Sequence, residues 1–324
     1  MRDHGGNLDA AIDAFGGTRD EWIDLSTGIN PRPYPIPQIS SHAWNALPTK
    51  ADIGALIDQA KATLSTNAAC LPTAGAQAGI QMIPHVLPKG VARVISPTYN
   101  EHAASLKSAG WEVAEVSNLS ELEGAKLGVI VNPNNPDGSM YSPEKILGIS
   151  ESVGHLIVDE SFCDPHPEIS VTPHIENRGN ITVLRSFGKF YGLAGIRLGF
   201  VFGSQIIINT LSERSGPWPV SGPAIEIGAR ALADKVWQQA TVERLKSDTD
   251  RIDAMATKAG WSVAGGTTLY RLYETQNAED AQRKLAENHI WSRIFPYSDK
   301  WIRLGLTDGQ VNWDRLETAL TSQT

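Results

Sequence analysis

Val183-Leu-Arg-Ser-Phe-Gly-Lys-Phe-Tyr-Gly-Leu-Ala-Gly-Ile-Arg-Leu-Gly-Phe-Val-Phe202 starts and ends in apolar runs and holds one lysine between them. Two short strands joined by a turn that carries Lys189 fit this pattern. No other lysine lies between Lys145 and Lys235, and Phe187, Gly188, Phe190 and Tyr191 surround this one. Burial among such neighbours favours the neutral amine, which is a nucleophile able to form a Schiff base with an aldehyde. Alone, a loop lysine is more often a solvated charge. Its spacing from Ser186 and Arg197, Ser-x-x-Lys-x7-Arg, sets a hydroxyl and an always-charged guanidinium in the same segment.

Outward from this segment, apolar runs at Val91 to Ile95, Leu127 to Val131, Leu156 to Val158, Ile181 to Leu184 and Leu198 to Phe202 alternate with helical patterns. Such alternation predicts an α/β domain with a mostly parallel sheet. Ile53, Leu56, Ile57, Ala60 and Leu64 fall on one face of a helix. After Pro217-Trp-Pro219 a helical region is expected to about Lys258. Strands are expected over 268–273 and 301–306, and helices over 278–288 and 313–320. The reading assigns 45–220 to a large domain. It assigns 1–44, an extended arm, together with 221–324 to a smaller α+β domain.

At 324 residues the chain can bury a sizeable core, and its net charge of −8 argues against a general nucleic-acid or membrane-surface binder. Cys70 and Cys163 have no metal spacing, so neither a disulfide framework nor a metal site is expected. The N-terminus reads as no signal peptide, and Arg197 interrupts the best apolar run, which makes the cytoplasm the expected location.

Candidate ligand groups follow the strands, where open α/β sheets bind ligands. Pro72-Thr-Ala-Gly-Ala-Gln-Ala-Gly79 opens a helix expected to run from Ile80 to Leu87, and its small residues allow close approach of an anion to backbone N–H groups, although a plain tight turn reads the same way. Tyr99 ends Ser96-Pro-Thr-Tyr99 and reads equally as a core tyrosine. Asn132-Pro-Asn-Asn-Pro-Asp-Gly138 is a turn after a strand. Asp159 closes an apolar strand and needs a partner if ionised, unless it simply caps a turn.

Together these motifs resemble the fold-type I pyridoxal-phosphate enzymes, the aspartate aminotransferase superfamily, over nearly the whole chain. The resemblance implies that Lys189 binds the pyridoxal-phosphate aldehyde and that Ser186 and Arg197 hold its phosphate with Ala76 and Gln77. It further implies that Tyr99 stacks on the ring, Asn135 donates to the ring oxygen, and Asp159 keeps the pyridine nitrogen protonated. Asp137, Phe162 and Leu47 depart from the family, which often has threonine, tyrosine and tyrosine there. Ile290-Trp-Ser-Arg293 and Trp301-Ile-Arg-Leu-Gly-Leu306 look like the paired arginine segments of histidinol-phosphate aminotransferases. His4-Gly-Gly-Asn7 and Asp24-Leu-Ser-Thr-Gly-Ile-Asn-Pro31 are similar instead to the cobalamin-pathway threonine-phosphate decarboxylases. The implied substrate is a small phosphorylated amino acid held by Arg293 and Arg303, with His4 and Arg271 as further ligands. The implied assembly is a homodimer. Transamination is the alternative activity. A regulatory protein on a dead enzyme fold is disfavoured, because Lys189, Asp159, Ser186 and Arg197 are all intact.

Overall fold

The computed structural model describes residues 4–321. They fall into two compact units. One holds Tyr34–Asn135 and Ser139–Trp237, and the other holds the chain up to Pro33, the insert Pro136–Gly138 and the residues from Gln238 on.

The larger unit is built on a seven-stranded sheet in the order Ala69–Thr73, Gly199–Gly203, Ile181–Ser186, Leu156–Asp159, Leu127–Val131, Val91–Ile95 and Glu112–Val116. Gly199–Gly203 runs antiparallel to both neighbours, and every other pairing is parallel. All five runs predicted as strands are strands. Leu127–Val131 is buried along its whole length, which explains its unbroken apolar sequence. Leu71, Val94, Leu127, Val129, Ile157, Leu184 and Val201 meet helix residues Ile80 and Leu106 in one core cluster. Burial of each such side chain is worth about 1.5–3 kcal/mol. The two strands missing from the sequence reading are the edges. Ala69–Thr73 contains Pro72, which an edge tolerates, and Glu112–Val116 has no buried residue.

The smaller unit carries the antiparallel sheet Arg293–Phe295, Ser298–Gly305, Tyr270–Glu274 and Ser262–Thr267, in that order. A separate parallel pair joins Ile23–Asp24 to Ile290–Trp291. The N-terminal arm is therefore not merely extended, and it also forms the helix Leu8–Phe15. Leu8 and Ala11 of that helix pack against Trp22 and Ala286.

The units divide at other points than the sequence reading drew. Residues 34–44 and 221–237 belong with the larger unit. Tyr34 N donates to Tyr191 O at 2.9 Å, and a Cβ on Gly222 would lie 2.2 Å from Ala43 O. Helix Gly222–Ala233 also approaches helix Lys50–Thr63, since a Cβ on Gly228 would sit 3.2 Å from Leu56. The expected long helix breaks at Asp234 into Gly222–Ala233 and Lys235–Lys258, because the Asp234 carboxylate accepts from Trp237 N at 2.9 Å and starts a new helix. Among the described residues no helix is long and apolar enough to cross a membrane, and no group of three or more acidic, histidine or cysteine residues could hold a metal.

Candidate active site

Strand Ile181–Ser186 gives way to the short helix Phe187–Phe190, so Lys189 lies within one turn of the strand's end. The chain folds back through Ala194–Ile196, and Arg197 takes a left-handed φ of 54° before strand Gly199–Gly203. Close packing requires two glycines in this loop. A Cβ on Gly188 would meet Ala194 Cα at 2.7 Å, and one on Gly199 would meet Ala76 N at 2.5 Å. The second contact presses the start of helix Ala76–Met82 against the lysine loop. Gly75, at φ 75°, leaves room for the Arg197 guanidinium, whose Nη2 would be only 2.8 Å from an added Cβ. Helix start, hydroxyl and guanidinium are thus gathered at one place.

One cavity in the larger unit is lined by Ala76, Gln77, Tyr99, Asn135, Asp159, Ser186, Lys189 and Arg197, and by Phe162. These are all eight of the cofactor residues expected from the sequence. Lys189 Nζ stands 5.4 Å from the Phe162 ring centroid, within reach of a cation–π contact. The turn bearing Asn135 is tied to the preceding strand's loop, since Asn134 Nδ2 donates to Pro97 O at 3.0 Å and Thr98 Oγ1 donates to Asn134 Oδ1 at 2.6 Å. Gln77 enters the reading through its backbone N–H, as the helix-start expectation has it. Its side-chain amide is engaged with Glu101 and Tyr99, which leaves its backbone N–H as the group for an anion.

Asp159 is 2% exposed. Its Oδ2 lies 2.8 Å from His102 Nε2, while its Oδ1 accepts from the Ser161 N–H at 2.9 Å and from the Ser161 hydroxyl. Burial pushes this carboxyl up, but the hydrogen bonds and charge of His102 and the bonds from Ser161 together hold it below the usual carboxylate value. A buried group kept ionised at the cavity wall suits a cationic ring nitrogen. The donor set as a whole fits pyridoxal phosphate: an amine for its aldehyde, a carboxylate for its pyridinium, and a hydroxyl with a guanidinium for its phosphate.

His102 and Ser161 were absent from the sequence reading. Ser161 had a local signal, a hydroxyl two residues after an aspartate. His102 had none, because 57 residues separate it from Asp159 and only the sheet order brings them together. Behind the lysine strand, Arg185 bonds Glu160 at 2.8 Å and Asp164 at 2.6 Å. Glu160 also accepts from Ser170, Val171 N and Thr172. This buried pair is fully hydrogen-bonded, the condition under which such a pair is tolerated.

In the smaller unit Arg293 and Arg303 are direct cross-strand partners. Arg303 is buried, donates from Nη2 to Ser26 O at 2.6 Å and lies 5.0 Å from the Tyr270 ring centroid. Burial lowers its pKa to about 10, with the charge of Arg293 adding to the effect. Like charges directly opposite on a sheet destabilise it unless an anion offsets them. Gly6 N donates to Ser26 Oγ at 2.7 Å, so the segment after His4 is seated on the residue that Arg303 holds. His4 itself is exposed.

Arg271 is a correction. It pairs with Leu304, one register step from Arg303, and therefore projects from the opposite face of the sheet. There its Nε and Nη2 grip Asp253 at 2.9 and 2.8 Å, an ion pair that already supplies its counter-charge.

Residues 49–316 match the family model described as aminotransferase class I and II. The chain is 38% identical to a threonine-phosphate decarboxylase of Sinorhizobium sp, covering 98% of this chain and 97% of the relative. It is 37% identical to one of Pseudomonas aeruginosa, covering 99% and 97%. Among solved structures, a histidinol-phosphate aminotransferase from Sinorhizobium meliloti in complex with pyridoxal-5'-phosphate superposes with a TM-score of 0.83 at 19% identity, covering 97% of this chain and 94% of that one. An L-threonine-O-3-phosphate decarboxylase from Porphyromonas gingivalis gives 0.74 at 20%, covering 92% and 98%. These two likenesses bear on the fold alone. With most of its length matched by the family model, and with a lysine, an aspartate, a serine and an arginine lining one cavity, the chain belongs to the aminotransferase class I and II family.

Proposed function

We propose that this enzyme decarboxylates L-threonine O-3-phosphate to (R)-1-aminopropan-2-ol O-phosphate with pyridoxal phosphate as cofactor, a step of cobalamin biosynthesis. The near-full-length likeness to two threonine-phosphate decarboxylases carries the reading, and the cross-strand pair Arg293 and Arg303 supports a substrate with a phosphate. When bound, pyridoxal phosphate supplies a cationic ring that takes up the electron pair left at Cα.

The chain's own residues do the rest. Ser186 and Arg197 would hold the cofactor phosphate, and Lys189 would bond its aldehyde carbon. Asp159, kept ionised by His102 and Ser161, retains the proton on the pyridine nitrogen. Arg293 and Arg303 bind the substrate phosphate by charge-assisted hydrogen bonds. With both arginines on the phosphate, neither would clamp the substrate carboxylate, which would then be free to leave as carbon dioxide. The Cα–carboxylate bond breaks, carbon dioxide leaves, and its electron pair stays behind. The Lys189 ammonium delivers a proton to Cα, and the resulting amine product dissociates.

Turnover of threonine phosphate beside that of threonine tests the substrate assignment. Each lost charge-assisted bond is worth about 1.5–3 kcal/mol, so kcat/KM for threonine should fall by roughly 100-fold or more. Equal kcat/KM for the two would remove the phosphate from the reading.

A further inference from the structure

Behind the cavity wall formed by Tyr99 and Gln77 stands a buried acid. Glu101 opens the helix Glu101–Ser108 and is 7% exposed. Its Oε2 accepts from Gln77 Nε2 at 3.0 Å, and Gln77 Oε1 accepts from the Tyr99 hydroxyl at 3.1 Å. A carboxylate only accepts, so the amide of Gln77 must turn its NH2 toward Glu101 and its oxygen toward Tyr99. The phenol is left as the donor. Its ring also meets His102 edge-on, with centroids 6.2 Å apart at 83°. Glu101 and His102 are consecutive residues of one helix start. One secures Tyr99 through Gln77, and the other secures Asp159.

We propose that Glu101 is a positioning residue that, through Gln77, pins the Tyr99 hydroxyl and holds its ring as a fixed wall of the cofactor cavity. This rests on the reading of the cavity as the pyridoxal-phosphate site. The relay explains why an acid lies buried beside a loop that must receive a phosphate. Its Oε2 accepts from the amide of Gln77, so it orders a neutral side chain.

The test is a cycle of wild type, Glu101→Gln, Tyr99→Phe and the double variant, each measured for pyridoxal-phosphate affinity, thermal unfolding and the near-UV circular dichroism of the cofactor-free protein. A glutamine at 101 can donate or accept, so the amide of Gln77 loses its imposed orientation. Glu101→Gln should weaken cofactor binding roughly tenfold when Tyr99 is present and hardly at all when residue 99 is Phe, the coupling expected within one hydrogen-bond network. The part of the near-UV signal that Tyr99→Phe removes should also shrink in Glu101→Gln. Gln77→Leu cuts the relay without altering Glu101 and should reproduce both effects, which guards against a folding defect in the first variant. Equal weakening in both backgrounds, or an unchanged Tyr99 signal, would overturn the proposal. A wild type that fails to bind pyridoxal phosphate at Lys189 would instead defeat the reading of the cavity, and the Tyr99 signal would still decide the relay.

Discussion

Asp159 shows how far single residues could be read. Its place at a strand end, after three apolar residues, announced a carboxylate needing a partner, and the resemblance supplied one. The sequence did not announce the three donors that keep it ionised. Replacing it with Asn keeps the shape and removes the charge, so Asp159→Asn should lower kcat on the order of 10²-fold or more while KM changes little, since the charge acts mainly on the transition state. Stability follows the same pKa. Because the folded value lies below the ordinary 3.8, the stabilisation is complete above that pH and is lost as the pH falls through the folded value. Asp159→Asn should therefore flatten the acid limb of an unfolding curve below pH 3.8. An unchanged kcat would take Asp159 out of the mechanism, and an unchanged acid limb would take its bound donors out of the stability argument. The partner of Arg271 was hidden at this scale for a plain reason. Its neighbours in sequence give no hint of Asp253, which sits 18 residues away on a helix and neutralises it.

Elements were legible where burial imposes a pattern. The strand Leu127–Val131 could hardly be missed, whereas Glu112–Val116 at the sheet edge carries two glutamates and no buried side chain. Cross-strand register was not legible at all, yet register is what sets Arg293 opposite Arg303 and turns Arg271 away. The pair gives the element-scale prediction. Inorganic phosphate should raise the unfolding temperature of the wild type loaded with pyridoxal phosphate, whose own phosphate then fills the Ser186 and Arg197 site, because a ligand bound only to the native state stabilises it by about 2.7 kcal/mol at 100 times its Kd. Arg303→Met should abolish that rise. Arg293→Met should also abolish it, since it removes the cross-strand neighbour with which Arg303 would share the anion. Phosphate stabilising both variants as it does the wild type would show that the pair is not an anion site.

For the molecule as a whole, alternation of strands and helices disclosed the α/β sheet, and the lysine loop pointed to the cavity that the proposed function uses. The unit boundaries were less visible. Pro136–Gly138 belongs to the smaller unit although it follows Asn135 directly, because a Cβ on Gly138 would come within 2.0 Å of Gly266 O and Gly266 N donates to Asp137 O at 2.8 Å. Backbone contacts of this kind leave no apolar pattern to read. The net charge of −8 gives no sign of Arg197, Arg293 and Arg303, to which the proposed function assigns anions. The central claim is that Cα loses carbon dioxide, not a proton, and the two outcomes differ in what they require. Decarboxylation followed by proton return at Cα leaves the enzyme ready for another substrate, whereas transamination leaves the cofactor in its amine form until a 2-oxo acid arrives. The most direct measurement is therefore to mix holoenzyme with excess threonine phosphate, add no acceptor, and follow carbon dioxide and phosphorylated aminopropanol with time. The account predicts equal amounts of both, accumulating over many turnovers. Absence of carbon dioxide, with the cofactor stalled in its amine form after one equivalent, would contradict it.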